Sequence, residues 1–327
     1  MTEKLRWGII APGRIAHAFA EGINTLLDGE IYAIASSSQE RADAFAKKFN
    51  VAKAYNSYEA LVADPNVDAV YISSLHHQHF AHTKLALEAG KPVLCEKPFT
   101  VNAAQSEELM KLAKEKNLFL MEALWTRFLP IYGIIRQWLD EKRIGEITLL
   151  TSTFGFRPEY DPKGRLYDPN LAGGTLLDIG IYNLTVSQWV MGEFPKSHKI
   201  HALMSETGID ELLAGILVYK NGVVSQFSCN FLSQNLNDFF IYGSKGHIRI
   251  HPNFWGSTRA TLNINGKEHT ESAPFNASGF EYQTAEAMRC IRAGLLESSI
   301  MPHSTTLAMM NYMDSIRAEI SLKYPFE

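Results

Sequence analysis

The sequence predicts an α/β protein: an N-terminal, doubly wound parallel sheet, followed by an α+β domain with a large, open, mostly antiparallel sheet. Three observations carry this. Short apolar runs alternate with helical-period stretches up to about residue 123, the pattern of a parallel sheet covered on both faces. Beyond it the period changes, and from Ile200 to Ile264 two-residue alternation is broken by turn signals. Finally, 327 residues exceed the roughly 250–300 at which one hydrophobic core stops growing. Domains are therefore expected at 1–123 and 124–327.

In the first domain the strand-like runs are Arg6 to Ile10, Ile31 to Ala35, Ala69 to Ser73, Pro92 to Glu96 and Leu118 to Glu122. Amphipathic stretches lie between them at Glu40 to Phe49, His79 to Ala89 and Ala103 to Lys116. In the second, Pro130 to Glu141 reads as a helix and Gly174 to Trp189 as a buried one. Asn221-Gly222, Gly243 to Gly246 and Asn265-Gly266 punctuate the antiparallel sheet, and Glu281 to Ala293 and Thr305 to Leu322 close the chain as helices. An open sheet with a broad apolar face buries it against a twin, so a homodimer through this sheet is expected.

Composition excludes several function classes. A 46% hydrophobic, 20% charged chain can build a large core, and a formal charge of −4 gives no attraction to nucleic acid or an anionic membrane. Cys95, Cys229 and Cys290 are widely spaced, with no CxxC pair, which argues against a disulfide framework or a zinc site. The first four residues run directly into a strand, leaving no room for a signal peptide, and no apolar run approaches the ~18 residues of a membrane span. A cytoplasmic setting follows as an expectation.

The first strand runs into Ala11-Pro12-Gly13-Arg14-Ile15-Ala16, a form of G-x-G-x-x-G/A with alanine at its first glycine. Gly13 lets the backbone approach a pyrophosphate seated on the following helix N-terminus, and Ala16 keeps helix and strand close. This turn, at the first βα junction, predicts a Rossmann dinucleotide site. NAD sites usually carry an acid at the end of the second strand, where it binds the ribose. Here the strand ends Ala35-Ser36-Ser37-Ser38-Gln39-Glu40-Arg41, without a carboxylate. Small hydroxyls with Arg41 one turn in suit a 2′-phosphate, so NADP is expected, with NAD the alternative. Ser37 and Glu40 also fit an S-x-x-E capping box that needs no ligand.

At the carboxyl edge of the sheet the chain reads Cys95-Glu96-Lys97-Pro98. With Leu177-Asp178-Ile179-Gly180-Ile181-Tyr182 and the segment Ser74-Leu75-His76-His77-Gln78-His79, it resembles the glucose–fructose oxidoreductase/inositol dehydrogenase (Gfo/Idh/MocA) family. Glu96, Lys97 and Pro98 match its Glu-Lys-Pro; Asp178, Gly180 and Tyr182 match D-x-G-x-H/Y; of T-P-N-x-x-H only His79 matches. Met121 to Phe128 and the tyrosine at 182 are similar to the dimeric dihydrodiol dehydrogenase and D-xylose dehydrogenase branch. The resemblance implies a hydride transfer between a nicotinamide and a sugar, polyol or cyclic diol. It also implies that Lys97 and Tyr182 share the acid/base role while Asp178 orients the substrate hydroxyl.

The chemistry agrees with that assignment. Asp178 and Tyr182 are four apart on the expected helix, hence on one face. A free phenol titrates near ~10, and a neighbouring Lys97 ammonium would favour its phenolate. Which of the two moves the proton stays open. His76, His77, His79 and His82 are not read as metal ligands, since hydride transfer needs no metal. His79 is read as capping its helix beside the dinucleotide, with His76 toward the nicotinamide. Trp125 and Arg127, just after the last parallel strand, are read as substrate-pocket residues, and Phe156 joins them as a candidate. An NAD-dependent inositol-type dehydrogenase and a non-catalytic dinucleotide-binding regulator stand as alternatives.

Overall fold

A computed structural model describes residues 3–327, which divide into two compact units. The first comprises the chain to Phe128 with Phe275–Asn311, and the second comprises Leu129–Pro274 with Tyr312–Glu327. The strands and helices of the first unit up to Phe128 are β1 (Leu5–Ile10), α1 (Arg14–Ile23), β2 (Gly29–Ala35), α2 (Gln39–Phe49), β3 (Lys53–Tyr55), α3 (Tyr58–Ala63), β4 (Ala69–Ile72), α4 (His79–Glu88), β5 (Val93–Glu96), α5 (Ala103–Glu115) and β6 (Leu120–Ala123). β3 and α3 were not anticipated: three residues and six residues are too short to show a period.

The sheet order is β3-β2-β1-β4-β5-β6, with every pair parallel. Strand order reverses between β1 and β4, so successive crossovers pass to opposite faces and a crevice opens beyond the strand carboxyl ends. Ile10, Ala33, Ala35, Val70, Ile72 and Leu120 fill one core. Elsewhere Trp7 meets Phe19 edge-on at 5.5 Å, and Phe19 stacks on Tyr71 at 3.9 Å. The turn after β1 carries strain that a glycine would avoid. Ala11 sits at φ 73°, a left-handed conformation, while its N–H donates to Ala35 C=O at 2.9 Å.

In the second unit α6 (Pro130–Asp140), β7 (Ile147–Gly155) and α7 (Ile181–Met191) precede β8 (Ser197–Met204), β9 (Asp210–Val218), β10 (Val224–Asn230), β11 (Phe239–Gly243), β12 (Gly246–Ile250), β13 (Arg259–Ile264) and β14 (Lys267–Ser272). The order is β14-β13-β12-β11-β7-β10-β9-β8. β7 lies inside this sheet and pairs parallel with β10, the exception to an otherwise antiparallel ladder. Chain continuity explains the exception, because the α7 crossover intervenes between β7 and the meander.

Residues 275–311 belong with the first unit, a division different from the expected boundary at 123/124. They contain α8 (Phe280–Arg292) and the start of α9 (His303–Glu319). α8 packs on α1 so closely that a Cβ on Gly22 would lie 2.8 Å from Glu281 N, and Ser278 Oγ donates to Ala18 C=O. Helical periodicity shows that such a helix has an apolar face but not which sheet receives it.

The expected buried helix over 174–189 begins instead as a π turn, Leu176–Gly180, before α7. Its start is held from β9: Asp210 Oδ2 accepts from Thr175 Oγ1 and Leu176 N–H, both at 2.7 Å. Gly174, at φ 123°, is required there, since a Cβ would fall 2.2 Å from Asp210 Oδ1. Burial pushes the Asp210 carboxyl up to about 6, although these hydrogen bonds pull it down.

Two outcomes are expected. Ala11→Gly should leave the urea-unfolding midpoint unchanged or raise stability by up to about 1 kcal/mol, while Ala11→Val should lower it by roughly 2 kcal/mol. Equal behaviour of the two variants would show that the left-handed turn is unstrained. For Asp210, the folded state keeps its proton between the ordinary carboxylate range and about 6, where the unfolded chain has released it. Stability from this group is thus lost as pH rises through that window. Asp210→Asn should therefore gain on the wild type by roughly 2–3 kcal/mol between pH 4 and pH 7.5; a pH-independent difference would refute the assignment.

Candidate active site

The glycine turn of the first unit is built by β1 and closed by β4. Ser73 Oγ donates to Ile10 C=O at 3.0 Å and to Ala11 C=O at 2.9 Å, tying the two strand ends at the switch point. Gly13 is the N-cap of α1, and that end has no side-chain cap. Gly13 has φ −77°, and a Cβ there would meet only Ser73 O, at an ordinary 3.6 Å. Neither backbone strain nor packing requires glycine at 13, so the space a Cβ would fill is left for a ligand. Pro12 and Ile15 are half-buried and Arg14 is exposed. These residues fit a pyrophosphate on the uncapped helix end.

At the end of β2 the serines divide their work differently from the expected capping box. Ser38 is the N-cap of α2 and accepts from Arg41 N–H at 3.4 Å, so the cap lies one residue beyond Ser37 and Glu40 takes no part in a box. Ser36 is buried and its Oγ accepts from Ser38 N–H at 3.2 Å. Ser37 and Arg41 are exposed.

Beyond β4, His79 is not the expected helix cap. Gln78 holds that position without a side-chain bond, and His79 lies buried as the first residue of α4. Its Nδ1 is 2.8 Å from Pro98 C=O and its Nε2 3.0 Å from Ser74 C=O. Burial pushes its ordinary value down to about 4, so the ring is neutral at pH 7 and donates to one of the two carbonyls. His82 Nδ1 lies 2.9 Å from Ser74 Oγ. His76 approaches the His79 ring edge-on at 5.8 Å, and Leu75 is exposed.

Lys97 follows the last residue of β5. Its N–H donates to Glu96 Oε2 at 3.2 Å, while Glu96 Oε1 accepts from Tyr71 OH at 2.5 Å. Glu96 is buried, as is Glu122 on β6, and burial pushes both carboxyls up to about 7. Trp125, read as a pocket residue, stacks on Phe280 of α8 at 4.9 Å, and Arg127 Nη1 donates to Ile300 C=O at 3.4 Å.

In the second unit Asp178 lies in the π turn and Tyr182 in the first turn of α7, so ideal α-helical spacing does not describe the pair. Both are nearly buried, at 6% and 7% exposure. Asp178 Oδ1 accepts from Arg165 Nη1 at 3.0 Å. The Tyr182 ring stands 5.9 Å from Phe154 and 6.2 Å from Trp255, and Phe154 and Trp255 stack at 3.4 Å, nearly parallel. Phe156 continues this aromatic wall toward Phe231 at 5.3 Å. Sequence reading missed Arg165 and Trp255. Both lie outside regular strands and α-helices, where no periodicity singles out a residue.

Comparison with known proteins completes the picture. Residues 5–124 match the model of an oxidoreductase family with an NAD-binding Rossmann fold, and residues 132–249 match the GFO/IDH/MocA C-terminal domain. The chain is 37% identical over 331 residues to trans-1,2-dihydrobenzene-1,2-diol dehydrogenase of Mus musculus, covering 98% of each. It is 35% identical over 330 residues to the Homo sapiens protein of that name, again covering 98% of each. Among solved structures, aldose-aldose oxidoreductase from Caulobacter crescentus superposes with a TM-score of 0.88 at 22% identity, covering 97% of both chains. A 3-ketoreductase from Actinomadura kijaniata, in complex with NADP, gives 0.86 at 24% identity, covering 97% of this chain and 98% of that one. The chain belongs to the Gfo/Idh/MocA family of nicotinamide-dinucleotide-dependent oxidoreductases, in its dihydrodiol dehydrogenase-like branch.

Proposed function

We propose that the protein is an NADP-preferring dehydrogenase that acts on a cyclic vicinal diol or a closely related sugar. The observation that carries this reading is the second-unit arrangement of Asp178, held by Arg165, and Tyr182, set against the Phe154–Trp255 stack. Carboxylate and phenol suit hydroxyls, and the aromatic wall suits an apolar ring face. The names of the full-length relatives, which are diol dehydrogenases, support the same substrate class.

A bound nicotinamide supplies the hydride acceptor, so oxidation of a carbinol leaves one hydroxyl proton for the protein to take. Tyr182 and Lys97 share the acid/base role that takes that proton. Asp178 orients the hydroxyl, and the Arg165 hydrogen bond aims the Asp178 carboxyl. Ala11, Pro12, Gly13, Arg14 and Ile15 hold the pyrophosphate, Ser37 and Arg41 the 2′-phosphate, and Leu75 and His76 the nicotinamide side. Ser36, Ser38, Ser74, His79 and Glu96 support these groups through the hydrogen bonds described above. Trp125, Arg127 and Phe156 bound the substrate. In reduction the same groups polarise the carbonyl and return the proton.

No helix among the described residues is long and apolar enough to cross a membrane. We place the protein in the cytoplasm as a homodimer formed through the open sheet. Leu203 and Ile216 on β8 and β9 are each 45% exposed, an apolar surface suited to a second copy. Ile216→Lys should then halve the mass seen by sedimentation equilibrium, whereas a monomeric wild type would end the proposal.

The catalytic reading is checked with Lys97→Met, assayed by nicotinamide absorbance on trans-1,2-dihydrobenzene-1,2-diol and D-xylose. Turnover should fall by roughly 10²-fold or more, while fluorescence titration still shows binding, tighter for NADP than for NAD. Normal turnover would remove Lys97 from the mechanism, and tighter NAD binding would reverse the coenzyme assignment.

A further inference from the structure

Lys97, Pro98 and Phe99 leave β5 as three consecutive residues, each with a peptide group facing a buried side chain. Glu96 Oε2 accepts from Lys97 N–H at 3.2 Å, and His79 Nδ1 faces Pro98 C=O at 2.8 Å. Phe99 N–H donates to Glu122 Oε1 on β6 at 3.1 Å. The other oxygen of Glu122 accepts from Thr306 Oγ1 on α9 at 2.9 Å. Glu122, Phe99 and Thr306 are 3%, 1% and 2% exposed, so no water competes for these bonds.

The sheet itself does not need the Glu122 link. β5 and β6 are already joined by a ladder running from Val93↔Leu120 to Glu96↔Ala123, and the bond to Phe99 begins where that ladder stops. A carboxyl group is also an expensive way to fill a buried position, because its desolvation must be offset by hydrogen bonds. Arg127 and Lys97 add a favourable field around it. The bond it makes is directional, and it restrains the segment that emerges two residues after Lys97. The second attachment extends that restraint to α9, an element far along the chain.

We propose that Glu122 is a positioning residue for hydride transfer: by clamping Phe99 N–H against α9, it sets the direction in which Lys97 leaves the sheet. This rests on the role assigned to Lys97 above. Glu122 acts through the backbone of the β5 exit and does not touch the reacting atoms.

The test compares Glu122→Leu, Glu122→Gln and Thr306→Val with Lys97→Met, using NADP with trans-1,2-dihydrobenzene-1,2-diol and D-xylose. Glu122→Leu should lower kcat by about tenfold or more with the KM for NADP within about twofold, because positioning, not binding, is lost. Exchange of the Phe99 amide hydrogen should accelerate in the same variant. Glu122→Gln, which keeps an oxygen for that N–H, should return to within about threefold of the wild-type kcat. A folded Glu122→Leu with wild-type kcat, or a Glu122→Gln as impaired as Glu122→Leu, overturns the proposal. If Glu122→Leu does not fold, Thr306→Val decides: lower kcat at an unchanged melting temperature supports the clamp, and unchanged kcat overturns it. An inactive Lys97→Met beside unaffected Glu122 variants removes the clamp alone. An active Lys97→Met, or no turnover of either probe, removes the underlying reading.

Discussion

The chemistry of the first unit depends on the parallel pairing of β1 with both β2 and β4. Because the strand order turns around at that junction, the crossovers leave on opposite faces and the strand ends are not roofed by a helix. The residues proposed to hold the dinucleotide are set out along this edge. Ala11 to Ile15 follow β1, Ser36 to Arg41 follow β2, Ser74 to His79 follow β4, and Lys97 follows β5. Ser73 bonds β4 to the carbonyls of Ile10 and Ala11, so the glycine turn and the histidine segment cannot shift independently.

That edge is reinforced from beneath by polar groups, an unusual use of buried space. Glu96, Glu122 and His79 are almost inaccessible, yet all three bond to backbone or side-chain groups around the exit of β5. Their titration is displaced in the directions burial dictates, the acids upward and the imidazole downward. Such groups reduce stability relative to a well-packed apolar core but give a single defined geometry. A site that must hold reacting atoms within a fraction of an ångström benefits from that exchange.

The second unit uses a different device for the same purpose. A π turn, anchored by Asp210 and made possible by Gly174, interrupts the start of α7 and carries Asp178 beside Arg165. An ordinary helix would distribute these side chains at regular steps; the wider turn changes where Asp178 points relative to Tyr182. Asn183 Nδ2 donates to Ser152 Oγ at 2.8 Å and Ser187 pairs with Ser225 at 2.9 Å, locking α7 onto β7 and β10. Tyr182 is therefore presented from a rigid surface, not from a loop.

Local chemistry decided much of this from the sequence alone. Alternation of apolar runs with helical periods specifies a parallel sheet, the glycine turn and Glu96-Lys97-Pro98 mark its carboxyl edge, and the Asp178-to-Tyr182 motif marks the second unit, because each depends on residues close in the chain. What required the tertiary structure is long-range. Ser38 rather than Ser37 caps α2, and His79 binds two carbonyls instead of capping α4, since a cap and a cross-link can use the same residue type. β7 sits within the antiparallel sheet, and α8 returns to the first unit, because a hydrophobic face records that burial occurs but not the partner. Arg165, Trp255 and Glu122 acquire meaning only from neighbours that no spacing rule connects to them.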